Sequence, residues 1–121
     1  MEEELVRLRD ESHLLLRRGR CAHSRAHETR ARARALRRNA ALSLARRGTL
    51  PLHFLHAEVE ALREYSEAQT QLLRIWTRAF VIRQIIQRDW SRLGEYHPTT
   101  AMASVILELT QYLDVLFELG Y

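Results

Sequence analysis

The segment Arg46-Arg47-Gly48-Thr49-Leu50-Pro51-Leu52 decides how this chain folds. A glycine just past a run of periodic residues takes positive φ at little cost and ends a helix. Pro51 then suits the start of the next helix, because its fixed φ is already helical there. Arg46 and Arg47 put cations in the last turn of the preceding helix, where they complement its dipole. Only a few residues separate two long periodic stretches. Such a short break predicts an antiparallel helical hairpin.

Upstream of this break, the apolar and small residues fall on a seven-residue repeat. They are Leu5, Leu8, Ser12, Leu15, Gly19, Ala22, Ala26, Thr29, Ala33, Leu36, Ala40 and Ser43. Alternating steps of three and four are the seam pattern of a coiled coil. The acids Glu2, Glu3 and Glu4 suit a helix N-terminus. The spacing predicts a first helix over about residues 3–47. It stays in phase through Gly19, which favours one continuous helix; the alternative is a stop at Arg17-Arg18-Gly19 with Ser24 capping a second helix.

Downstream, a second helix is expected over about residues 52–93. Its first half is amphipathic, with Leu55, Val59 and Leu62 leading to polar Ser66 and Gln69. From Leu72 to Leu93 apolar residues cover most of the circumference, which implies burial by more than one neighbour. Trp76, Phe80 and Trp90 read as core anchors. A second break, Gly94-Glu95-Tyr96-His97-Pro98-Thr99, repeats the glycine-then-proline grammar of the first. A third helix is expected over about residues 100–119, capped by Thr99 or Thr100. Met102, Val105, Ile106, Leu109, Tyr112, Leu113 and Leu116 mark its apolar face.

At about 1.5 Å per residue the first two helices are each about 65 Å long and the third about 30 Å. The expected fold is therefore all-α, a single helical domain over residues 1–121. It is a long, coiled-coil-like antiparallel hairpin with a shorter third helix packed on the open end. Folding at Thr49-Leu50 pairs positions whose numbers sum to about 99. Ala40 then meets Val59, Leu36 meets Leu62, Leu44 meets Leu55, Ala26 meets Leu73, Ala22 meets Trp76 and Gly19 meets Phe80. This packs small residues of the first helix against large ones of the second. The three-helix end is expected to comprise residues 1–25 with 70–121, and the two-helix end 26–69. Arg83 projects from the apolar face of the second helix, and either pairs with Glu108, Asp114 or Glu118 or snorkels to water.

Composition narrows function more than it names it. The 121 residues carry 19 basic side chains, all arginine, and a formal charge of +4. That figure hides an asymmetry: residues 17–47 hold 11 arginines and one acid, Glu28, whereas no arginine follows Arg92. The single cysteine, Cys21, forms no disulfide framework and fits a reducing compartment. The N-terminus has neither the basic nor the apolar region of a secretory leader. No apolar run approaches the ~20 residues of a spanning helix, and the basic helix offers alanines where a lipid-lying helix needs bulk. The expectation is an intracellular protein with no membrane partner, cytoplasmic and nuclear locations being equally compatible.

No catalytic constellation is expected. Glu58 and Glu60 point to different faces of a helix, and there is no glycine-rich phosphate loop and no Ser/His/Asp set. Cys21, His23 and His27, and separately His53, His56 and Glu60, could each supply half of a zinc site, but the two groups lie far apart along the hairpin. Neither metal nor cofactor is expected.

Two functional readings remain. In the first, the chain is a non-catalytic helical interaction or scaffold subunit, a homo- or hetero-oligomer with other helical chains. A hairpin seam of alanine and serine buries little area, and the third helix has apolar surface to spare. The expected partner-binding residues are Ala33, Leu36, Ala40, Val59 and Leu62 on the hairpin and Leu107, Val115, Phe117 and Leu119 on the third helix. In the alternative, Arg30, Arg32, Arg34, Arg37 and Arg38 contact the RNA or DNA backbone. Guanidinium forks fit phosphate oxygens, but these arginines surround the helix and lack interleaved aromatics for base stacking.

Overall fold

The computed structural model describes residues 2–49, 51–93 and 100–120. Leu50, the expected second break over 94–99 and a cap at Thr99 lie outside the described residues, as do the side chains of Trp90, Arg92, Leu93 and Thr100. The described chain is all-α, with three helices: α1 over Glu2–Arg47, α2 over Leu52–Leu93 and α3 over Thr100–Glu118. Helix α1 runs unbroken through Gly19, so the continuous reading holds and Ser24 starts no new helix.

The first reversal has the expected chemistry. Gly48 sits at φ +70°, and its N–H donates to the Leu44 carbonyl at 2.9 Å, closing the C-terminal turn of α1. The Pro51 carbonyl accepts from the N–H of Phe54 at 3.0 Å and of Leu55 at 3.4 Å, so Pro51 sits immediately before the first residue of α2 and accepts its first bonds.

By internal contacts the chain divides into two compact units: Met1–Cys21 with Leu72–Tyr121, and Ala22–Gln71. The division falls close to the expected one at 25/26 and 69/70. The first unit contains the start of α1, the end of α2 and all of α3. Its core is mostly leucine and isoleucine: Leu5, Leu8, Leu15, Leu16, Leu72, Ile75, Ile82, Ile106, Leu109, Leu113 and Leu116 are all buried, with Ser12 and Ala79 buried among them. On α3 the buried positions 106, 109, 113 and 116 repeat at steps of three and four, one face of a helix. Leu5 and Ile106 form a cluster joined by half-buried Ile86, Met102 and Val105, so each helix contributes. Gly19 of α1 is buried against Leu116 of α3. A methyl group there would collide with Leu116 Cδ1 and lie 3.7 Å from Ile75 Cγ2.

The second unit is the middle and end of α1 against the first half of α2. Ion pairs Arg32–Glu64 (3.4 Å) and Arg25–Glu67 (3.6 Å) show the antiparallel sense, since one number rises as the other falls. Its fully buried apolar side chains, among the described residues, are alanines without exception: Ala22, Ala26, Ala33, Ala40, Ala61 and Ala68. Each adds roughly one methyl group, about 0.8 kcal/mol, against about 1.5–3 kcal/mol for a buried leucine. Thr29 is buried among them, with its hydroxyl donating to the Arg25 carbonyl at 2.8 Å.

Candidate interaction surfaces

The seam of α1 is the expected one at each position, but α2 presents a different face to it. Its buried stripe is Ala61, Ala68, Leu72, Ile75, Ala79 and Ile82, with Tyr65 and Ile86 half-buried. This lies one residue N-terminal to the expected stripe of Leu62, Gln69, Leu73, Trp76 and Phe80, a rotation of about 100° about the helix axis. The expected pairing of small residues with large ones is therefore corrected. Leu62, Leu73 and Phe80 are about half exposed, and Val59 is 63% exposed. Gly19 packs near Ile75 rather than Phe80. The physical reason is backbone approach: alanine against alanine lets two helices come closer than alanine against tryptophan.

Helix α2 thus carries two heptad stripes. The alanine-bearing one serves α1. The large-residue one has a different role in each unit. In the first unit it meets α3: Trp76 stacks edge-on against Phe117, with ring centroids 5.4 Å apart. The Arg83 guanidinium lies 5.2 Å from the Phe80 ring centroid and 4.7 Å from that of Phe117. Among the described residues Arg83 forms no ion pair with Glu108, Asp114 or Glu118; of the two expected outcomes, an acidic partner or an escape to water, the first is absent, and two aromatic faces flank the guanidinium instead. In the second unit the same stripe comprises Leu52, Leu55, Val59 and Leu62. Leu52, Val59 and Leu62 are exposed and Leu55 is half-buried. An apolar cleft of about 460 Å³ runs along Leu52, Leu55 and Val59.

These placements sort the expected partner-binding residues. Ala33 and Ala40 are buried inside the hairpin, because they form the alanine seam itself, and offer no surface. Leu36 is half-buried beside them. Val59 and Leu62 lie open on the second stripe. On α3, Leu107 is 62% exposed, at the edge of an apolar cleft of about 430 Å³ shared with Ile86, Ala103 and Ile106. Val115 and Leu119 are half-buried, and Phe117 is engaged within the chain by Trp76 and Arg83. Leu52 and Leu55 are the stripe members absent from the expected partner-binding set, although Leu55 already stood on the amphipathic face with Val59 and Leu62. Their three- and four-residue spacing to Val59 and Leu62 was the available signal.

The arginines also sort by neighbour. Arg32 pairs with Glu64, and Arg30 lies 6.0 Å from the Tyr65 ring centroid. Arg34, Arg37 and Arg38 are exposed, with no ion-pair partner among the described residues. No acid occurs between Glu28 and Glu58, a span that holds seven arginines and the whole hairpin turn.

Polar contacts elsewhere join helices within the first unit. Arg78 of α2 and Glu11 of α1 form a two-pronged pair, with one nitrogen–oxygen distance of 3.0 Å. This hydrogen-bonded guanidinium holds the Glu11 carboxyl below its ordinary pKa, and the Glu11 carboxylate in turn raises that of Arg78. On α3, Tyr112 donates to Glu108 at 2.6 Å, which raises the phenol pKa, and Glu108 also faces Arg9 of α1 at 3.7 Å.

Among the described residues, no three of His, Cys, Asp and Glu converge as metal ligands. Cys21, His27, His53 and His56 are exposed, and His23 is half-buried. No helix among the described residues is long and apolar enough to cross a membrane. No family model, no curated protein and no solved structure matches the chain.

Proposed function

We propose that this chain is a non-catalytic helical assembly subunit whose open α2 stripe docks an apolar-faced helix, from a second copy or from another chain. The observation that carries this reading is the stripe Leu52, Leu55, Val59 and Leu62. It is heptad-spaced, exposed at Leu52, Val59 and Leu62 and half-buried at Leu55, and set in a unit whose own seam is alanine. Scattered surface leucines need no explanation, but a periodic row of them on one helix does. The first unit supports the same reading, because there an apolar helix, α3, takes up the large residues of α2 through Phe117. Exposed Leu107 adds a second candidate contact.

Thermal melting at a series of protein concentrations tests the proposal. Assembly that stabilises the folded chain makes the melting temperature rise with concentration. A single cooperative melt, independent of concentration and unchanged by Val59→Glu, contradicts docking of a second copy on the stripe.

A second reading is favoured by a separate observation, the unpaired and exposed set Arg34, Arg37 and Arg38 in the acid-free span. These side chains suit a polyanion backbone read by charge rather than by sequence. Both roles fit one molecule, since the arginines lie on α1 and the stripe on α2.

A further inference from the structure

The hairpin turn forms a cleft of about 550 Å³ whose polar lining is Asn39, Ser43, Arg46, Arg47, Thr49 and His53. The rest of the lining is apolar, and no carboxylate is part of it. We propose that this cleft is a binding site for a phosphate group.

The donor set argues for that chemistry. Two guanidinium groups offer forked pairs of N–H donors, matched to tetrahedral oxyanions. Two hydroxyls, an amide and an imidazole add further donors, and a phosphate has oxygens enough to accept from several at once. A carboxylate, with two oxygens, would leave much of this set unused. Arg46 and Arg47 have no ion-pair partner among the described residues, and the nearest acids in sequence are Glu28 and Glu58. The first turn of α2 likewise carries no acidic side chain to compete for these donors. Arginines at a helix C-terminus complement that helix's own dipole, which accounts for Arg46 and Arg47 singly. It does not account for Asn39, Ser43, Thr49 and His53 facing the same space from both sides of the turn.

Isothermal titration of the full chain with inorganic pyrophosphate, at ionic strength fixed with chloride, tests the site. The expected result is saturable binding of one pyrophosphate per chain. Arg46→Gln and His53→Ala each weaken it by about tenfold, the scale of one lost hydrogen bond to a charged group. Arg74→Gln removes the same charge from an exposed position outside the cleft and leaves the affinity unchanged. Circular dichroism confirms that each variant is folded. Absence of saturation, or an equal loss in Arg74→Gln, overturns the site in favour of diffuse charge attraction. Competition then identifies the carrier: displacement by adenosine monophosphate assigns a soluble phosphate ester, and displacement by phosphatidic acid vesicles assigns a lipid headgroup. Displacement by neither overturns the assignment to phosphate esters.

Discussion

Gly19→Ala is the most revealing single change in the first unit. In an exposed helix it would add about 1 kcal/mol of stability, since glycine is among the poorest helix formers. Here the added methyl would overlap Leu116 Cδ1, and Leu116 is 0% exposed, with no room to swing aside. Ile75, at 3.7 Å, is in ordinary contact and contributes no clash. Overpacking a full core costs about 1–3 kcal/mol. The two terms oppose each other, and the clash wins: Gly19→Ala destabilises the chain by about 1 kcal/mol. Leu116→Ala alone costs about 2–5 kcal/mol. In the double variant the new methyl enters the space that Leu116 vacates, so the losses fall short of additivity by about 1–2 kcal/mol. Urea unfolding followed by circular dichroism measures all four proteins, read as midpoints at constant m-value. The reasoning is refuted if Gly19→Ala gains the full helix-propensity increment, or if the two substitutions add.

Other consequences follow from the same packing. Glu11→Gln should cost about 0.5 kcal/mol at neutral pH, a small value because both partners are partly solvated. The Glu11 carboxyl is held below its ordinary 4.5, so its contribution is present above that pH and is lost as pH falls through the lowered value. Wild type and variant should converge in acid-titrated melts; a difference that persists there means the pair is not the cause. Leu109→Ala, at a position with 0% exposure, should cost about 2–5 kcal/mol in urea unfolding, whereas Leu107→Ala two residues away should cost little. Equal losses would place α3 in the wrong rotation. If the unpaired arginines hold a polyanion, Arg34→Gln, Arg37→Gln and Arg38→Gln together should flatten the salt dependence of duplex RNA binding measured by fluorescence anisotropy. A slope unchanged from wild type removes them from that role.

The seam of α1 was legible because its side chains are small and its heptad admits one phase. The face of α2 was not. That helix carries two stripes one residue apart, and reading by hydrophobicity chooses leucine, tryptophan and phenylalanine over alanine. Packing chose Ala61, Ala68 and Ala79, because close backbone approach depends on what is absent from the side chain. The misplaced stripe had a direct consequence for the candidate site. The sequence pattern makes Ala33 and Ala40 partner-facing alongside Val59 and Leu62, whereas in the fold the first two are buried and the last two open. Arg83 illustrates a different limit. Its apolar surroundings were visible in sequence, but its aromatic neighbour Phe117 comes from another helix and is found only by folding.

The central claim is that the second stripe of α2 is a docking face. Light scattering on the eluting peak of a sizing column, for wild type and for the double variant Val59→Glu with Leu62→Glu, tests it most directly. Both residues are exposed, so the variant keeps the fold by circular dichroism. Self-assembly through the stripe predicts a wild-type mass at a multiple of the single chain and a variant mass at one chain. The same multiple in both proteins, or a single-chain mass for wild type across the accessible concentrations, contradicts self-assembly through this face.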